Sequence, residues 1–280
     1  MSAKRKTRRG VASILLAVFS LIYVAPLIII LFNSFKRDTF ITIQPFRLPN
    51  ADTWRGLSNF VKATDMYGLL SGVAWTVFIT VGSVIAILLL CSMFAWFITR
   101  VRRVYSRILY VLCVFSMVIP FQMVMFTLAK TADTLHLNTP WGIIIVYLGF
   151  GAGLAVFLFC GFVKGIPIEI EEAAMIDGCS PLGTFFKVVL PIMQPTYITV
   201  GILQTMWIWN DYLLPYLVLD RTRHFDTVSM IIQRMRGGFG VVDMGPIMAS
   251  LVLAVIPVVI CYLCAQKYII EGVAAGAVKG

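Results

Sequence analysis

Charge is scarce in this sequence, and that scarcity excludes most soluble folds. Only 13% of the 280 residues are Asp, Glu, Lys or Arg, about half the share of an ordinary soluble domain. Histidine is nearly absent. His136 and His224 are the only two, each in an expected loop, which argues against a histidine-based metal site or catalytic triad. No G-x-x-x-x-G-K-[ST] stretch occurs, so the chain lacks the backbone cradle that holds nucleotide phosphates. Clustered catalytic side chains are also missing, and the chain is expected not to be an enzyme. Acidic residues number 13 against 23 basic ones, a net charge of +10. The basic residues form no stripe between aromatics, as a nucleic-acid face would. They gather in short runs beside apolar segments, where anionic headgroups and the positive-inside rule account for them.

Apolar residues make up 60% of the chain, too much for one water-soluble core. A spanning helix needs roughly 20 mostly apolar residues, and six stretches qualify: Val11–Phe32, Leu69–Ile98, Ile108–Ala129, Trp141–Val163, about Ile192–Leu219, and Met244–Gln266. All but the fifth are free of charge. Closed barrels would show shorter, alternating segments, so the expected fold is an all-α membrane protein, a single domain of six transmembrane helices over 1–280. Lys4–Arg9 precede the first span and Arg100–Arg107 link the second to the third, which predicts cytoplasmic positions for both and for both termini. Lys36–Lys62 and Arg221–Asp243 are then external. The first apolar run exceeds the usual h-region and no clear A-x-A site follows it, so an uncleaved anchor is expected. Of the six cysteines, five lie in apolar runs. Cys261 and Cys264 form a C-x-x-C, but no basic neighbour lowers a thiol pKa there, and packing residues are expected.

Two hydrophilic segments interrupt the apolar pattern, 164–191 and 220–243. The first reads as two short helices. Pro167 suits a first helical turn, Glu169, Glu171 and Glu172 sit near the positive end of the helix dipole, and Gly178 can take the left-handed conformation that ends a helix. Ser180 and Pro181 make an N-cap and N1 pair for the second helix, which Pro191 is expected to end. Ile170, Ala173, Ala174 and Asp177 share one side of the first helix, smooth enough for close approach by another backbone. The residues alone leave two readings open, a helix docked in a partner's cleft or one lying on the membrane.

The same segment resembles the EAA loop of binding-protein-dependent ABC importers. That signature places Glu-Ala-Ala, three residues, Gly, nine residues, an aliphatic, one residue and Leu-Pro in order. Glu172, Ala173, Ala174, Gly178, Val188, Leu190 and Pro191 meet every position. Trp209–Pro215 resembles a stretch of carbohydrate-type permeases, and Glu271–Gly280 resembles the tail of MalG-type subunits. The resemblance implies a cell-membrane permease subunit for a sugar or oligosaccharide. Its partners would be a second, MalF-like permease, two ATPase subunits carrying ATP and magnesium, and an extracytoplasmic solute-binding protein. The chain itself would hold no cofactor. By resemblance Glu171, Glu172, Ala173, Ala174, Asp177, Gly178, Leu190 and Pro191 couple to the ATPase, the tail at 271–280 reaches between the ATPase subunits, and Arg236, Gly237, Gly238, Phe239 and Gly240 form a loop that enters the binding protein's cleft. A permease for glycerol phosphate or a peptide, or an ion-driven secondary transporter, are the rival readings.

Inside the spans, Gln204, Asn210 and Asp211 are candidates for the translocation path, since an intramembrane ionisable residue invites a functional reading. Gln122 and Gln194 fit the same pattern; interhelical hydrogen bonding is the alternative for the glutamines, and capping of a kink before Pro215 for Asp211. Trp141, Tyr147, Trp207 and Trp209 fit an interfacial aromatic belt better than a sugar platform. Gly149, Gly151 and Gly153 are expected to allow close helix packing.

Overall fold

The computed structural model describes the backbone of residues 3–220, 225–236 and 242–277, and side chains of 13–220, 225–236 and 242–267. Among these no β-strand forms; a lone antiparallel bridge joins Lys36 to Trp54. Four helices are long and apolar enough to cross a bilayer: α1 (Ala3–Asn33), α4 (Leu69–Arg100), α7 (Pro140–Val163) and α14 (Met244–Ala277). Short helices fill the remainder: α2 (Asp38–Ile43), α3 (Ser58–Asp65), α5 (Val104–Ser116), α6 (Phe121–Thr134), α8 (Ile168–Ile176), α9 (Pro181–Thr184), α10 (Leu190–Ile192), α11 (Gln194–Asn210), α12 (Leu213–Leu219) and α13 (Val228–Arg234).

Two of the six expected spans are bent or broken. The third is not one straight helix over Ile108–Ala129: α5 and α6 meet at a bend of 105°. Pro120, with ψ at 133°, stands outside the helical region at the break. Its ring would clash with the carbonyl four residues back and it also pushes the preceding residue out of the helical region. The fifth expected span is broken twice. The Pro181–Ile192 stretch bends by 78° into α11, and extended backbone at Asp211 separates α11 from α12.

Chain contacts define two units, Met1–Leu70 with Ile231–Pro257, and Ser71–Met230 with Val258–Gly280. In the first, the segment after α1 is held by polar groups turned inward. Asn59 donates to the carbonyls of Ser34 (2.8 Å) and Lys36 (2.7 Å). Lys36 donates to Gln44 O at 2.9 Å and lies over the Phe32 ring; burial lowers its pKa. Asp38 accepts from Gly245 N at 2.6 Å, and Tyr67 donates to Asp243 at 2.7 Å beside Lys62. The Tyr67 phenol is pushed up to about 12, first by burial and then by Asp243, so it keeps its proton to donate.

The second unit buries Ile87, Tyr147, Ala155, Val156, Phe159 and Phe185 in one core. Two polar residues in α4 are satisfied within the helix: Thr76 and Thr99 each donate to the carbonyl four residues back, at 2.7 Å. That bond lets a hydroxyl sit in an apolar helix. Of Gly149, Gly151 and Gly153 in α7, two pack closely. A Cβ at Gly153 would stand 2.9 Å from Cys113 O and one at Gly151 2.6 Å from Ile87 Cδ1, whereas Gly149 faces open space. Cys261 and Cys264 lie exposed on α14 instead of in a packed core, and both are free.

Candidate functional site

The 164–191 segment forms two short helices, as its prolines and glycine predict. Pro167 caps α8 and Glu169 and Glu171 occupy the first turn. Gly178 ends it with φ at +89°. Gly178 N donates to Met175 O at 3.1 Å and Cys179 N to Ala174 O at 3.0 Å, the paired bonds of a Schellman end. No atom stands within 4 Å of a Cβ built at Gly178. The glycine is therefore required by its backbone conformation, not by crowding.

Ser180 Oγ accepts from Gly183 N at 3.1 Å and Pro181 opens α9. The chain then widens into a π-helical turn over Phe185–Val189, closed by Leu190 N on Phe185 O. Pro191 does not end the helix as expected; the segment stays helical to Ile192 and turns at Met193. The wide turn accommodates a residue with no N–H to give.

The acidic residues of this segment do not act alike. Glu169, Glu172 and Asp177 are exposed, but Glu171, expected beside Glu172 on the docking face, is only 2% exposed. Its Oε1 accepts from Arg100 Nε (2.9 Å) and Nη2 (2.6 Å), and its Oε2 from Trp96 Nε1 (2.9 Å). Arg100 Nη2 also donates to Ile166 O at 2.9 Å. At 100° per residue, Ala173 and Ile176 fall on the side opposite Glu171, and both are exposed, Ile176 at 85%. Ala174 and Leu190 are half-buried, and Pro191 is exposed. The sequence marks Arg100 only as a topology signal and gives no sign of Trp96.

The path candidates are mostly engaged in structure. Gln204 is buried and donates to Gly151 O at 3.2 Å, an interhelical bond. Asn210 donates to Met206 O of its own helix. Asp211 Oδ1 accepts from Leu213 N (3.0 Å), capping α12, and its Oδ2 accepts from Tyr147 OH (3.0 Å). Tyr147 is therefore a core residue, not part of an aromatic belt, and Trp207 packs edge-on against it at 5.4 Å. Trp141 is 71% exposed, as a belt residue would be. Gln122 and Gln194 are exposed. Arg236 is exposed, but Gly237, Gly238, Phe239 and Gly240 lie outside the described residues, as do the side chains of 271–280.

Because Asp211 is a cap with both oxygens occupied, Asp211→Ala should lower stability by about 1–3 kcal/mol, read as a thermal shift of the solubilised protein. Asp211→Asn keeps one acceptor and should leave uptake within about twofold; a proton-coupled role predicts abolished transport instead.

The helices and this loop define a polytopic transport subunit. The chain belongs to the binding-protein-dependent transport system inner membrane component family, whose model matches residues 89–274; it is a multi-pass permease subunit and not an enzyme. It is 39% identical over 94% of its length to the probable starch degradation products transport system permease protein AmyC of Thermoanaerobacterium thermosulfurigenes, and covers 94% of that protein. It is 34% identical to the multiple sugar-binding transport system permease protein MsmG of Streptococcus mutans, over 95% of each chain. Its fold matches a chain of a bacterial ABC transporter that imports the acidic polysaccharide alginate, with a TM-score of 0.79, 23% identity, and coverage of 96% of this chain and 98% of that one.

Proposed function

We propose that this chain is the MalG-type permease of an ATP-driven carbohydrate importer in the inner or plasma membrane. It crosses the bilayer six times with both termini cytoplasmic, α5–α6 and the bent segment through α11 each serving as a broken span. A second permease, two ATPase subunits and an extracytoplasmic binding protein complete the assembly. The carbohydrate assignment is supported by the names of the relatives, which include permeases for starch degradation products and arabinooligosaccharides.

One observation carries the reading: α8 presents an exposed face bearing Glu172, Ala173, Ile176 and Asp177 in the spacing of the EAA loop. Helices that lie on membranes are rich in Lys and Arg. The α8 sequence, IEIEEAAMI, contains three glutamates and no basic residue, a poor match to anionic headgroups and a good one to a basic protein cleft. ATP binding closes the ATPase pair, α8 moves with it, and the spans rock from inward-facing to outward-facing. Residues 236–241 serve as the loop that displaces sugar from the binding protein.

The test is uptake of labelled oligosaccharides by the reconstituted complex. Uptake should require ATP and binding protein and should be indifferent to ionophores. Uptake that follows an ion gradient without ATP would contradict the reading, and ATP-driven uptake of peptide or glycerol phosphate alone would replace the substrate class.

A further inference from the structure

We propose that Arg100, Trp96 and Glu171 form the joint through which movement of α8 is passed to the membrane helix α4, an inference that rests on the coupling role given to α8. Around α8 the exposed acids are free to meet a partner, while Glu171 alone turns inward and is fully engaged. Arg100 ends α4 and contacts both α8, through the carboxylate, and the link before it, through Ile166 O. Trp96, one turn earlier in α4, grips the second carboxylate oxygen and packs against Phe185 of the π-helical turn, ring centroids 5.5 Å apart. Three donors on one helix thus clamp the base of α8 on the side opposite Ala173.

The attachment is directional. Arg100 Nε and Nη2 converge on Glu171 Oε1 while Trp96 Nε1 holds Oε2, so both carboxylate oxygens are fixed from α4 and α8 cannot roll without carrying the end of that helix. Beyond the joint, α4 runs for 32 residues with no internal proline or break, about 48 Å at the usual rise. It is a rod suited to carry a displacement across the bilayer. The other link from α8 to a long helix is the short turn at Lys164–Gly165. Glu171 and Arg100 act through α8 and α4 and are positioning residues.

The experiment uses the complete complex of both permeases, ATPases and binding protein, reconstituted with Glu171→Gln, Arg100→Lys and Trp96→Phe, and with Ala173→Trp as a docking control. Three quantities are read: ATPase co-purification, hydrolysis stimulated by loaded binding protein, and sugar imported per ATP. E171Q and R100K should keep the ATPase attached, because the exposed face of α8 is unchanged. Sugar imported per ATP should fall at least about tenfold in R100K, whose single ammonium cannot reproduce the planar set of bonds from Arg100 to Glu171 Oε1 and Ile166 O. The Arg100→Glu, Glu171→Arg double variant should recover part of the transport lost by either reversal alone. Wild-type import per ATP in E171Q and R100K would overturn the joint. So would loss of ATPase attachment in step with transport, since that marks a purely structural role. If A173W retains attachment and transport, the docking role of α8 fails and the joint falls with it; if A173W fails while E171Q is normal, the joint alone is overturned.

Discussion

Replacing Gly178 with valine is expected to reduce ATP-driven uptake by roughly tenfold or more while membrane insertion proceeds normally. At φ of +89° a β-branched side chain opposes the backbone by about 1–2 kcal/mol, and the two bonds that end α8 depend on that conformation. Relaxation of the strain would redirect the Ser180–Pro181 turn and with it the exposed face of α8. The space around the position is open, so the effect should track backbone preference and not size. Asn, which tolerates the left-handed region, should retain more uptake than Ala, and Ala more than Val. A ranking by side-chain volume would show that crowding by a partner, not the helix end, sets the requirement. ATPase co-purification alongside uptake separates lost attachment from lost coupling.

A second large effect is expected in α7. A Cβ at Gly142 would stand 2.3 Å from Leu137 O, and one at Gly153 would meet Cys113 O at 2.9 Å and Ser116 Oγ at 2.8 Å. The obstacles at Gly142 are backbone atoms, which cannot swing aside as a side chain does. Gly142→Ala and Gly153→Ala should each cost about 1–3 kcal/mol as overpacking does, seen as a lower unfolding temperature in detergent and less extractable folded protein. Gly149→Ala, on the same helix but facing open space, should change neither. Equal behaviour of the three would mean that α7 does not pack against Leu137 and α5 as described.

The sequence made these helices legible unevenly. Long uncharged runs locate α1, α4, α7 and α14 because apolar length alone decides them. The α8 turn was readable because its signals are local: a proline before, a left-handed glycine after, a Ser-Pro start to the next helix. The break at Pro120 was printed in the sequence, but an apolar run on both sides hides it from any reading based on apolar length. The end of α6 shows the same limit, since His136, not glycine, adopts the positive φ of 55° there. Glu171 is the sharper case. Its neighbours Glu169 and Glu172 share its chemistry and helix turn, and what distinguishes it is Arg100 and Trp96, 71 and 75 residues away. Asp211 and Tyr147 are joined in the same manner, by a contact across 64 residues, which gives the acid a capping role and places a suspected belt tyrosine in the core.

The coupling role of α8 can be read from one position. A photo-crosslinking residue placed at Ile176, the most exposed large hydrophobic residue of α8 at 85%, samples whatever lies against that face in the assembled importer. We expect one dominant adduct with the ATPase subunit, its yield changing between nucleotide-free and ATP-bound states. Adducts with lipid alone, unaffected by nucleotide, would show that α8 lies on the membrane and does not couple this permease to ATP.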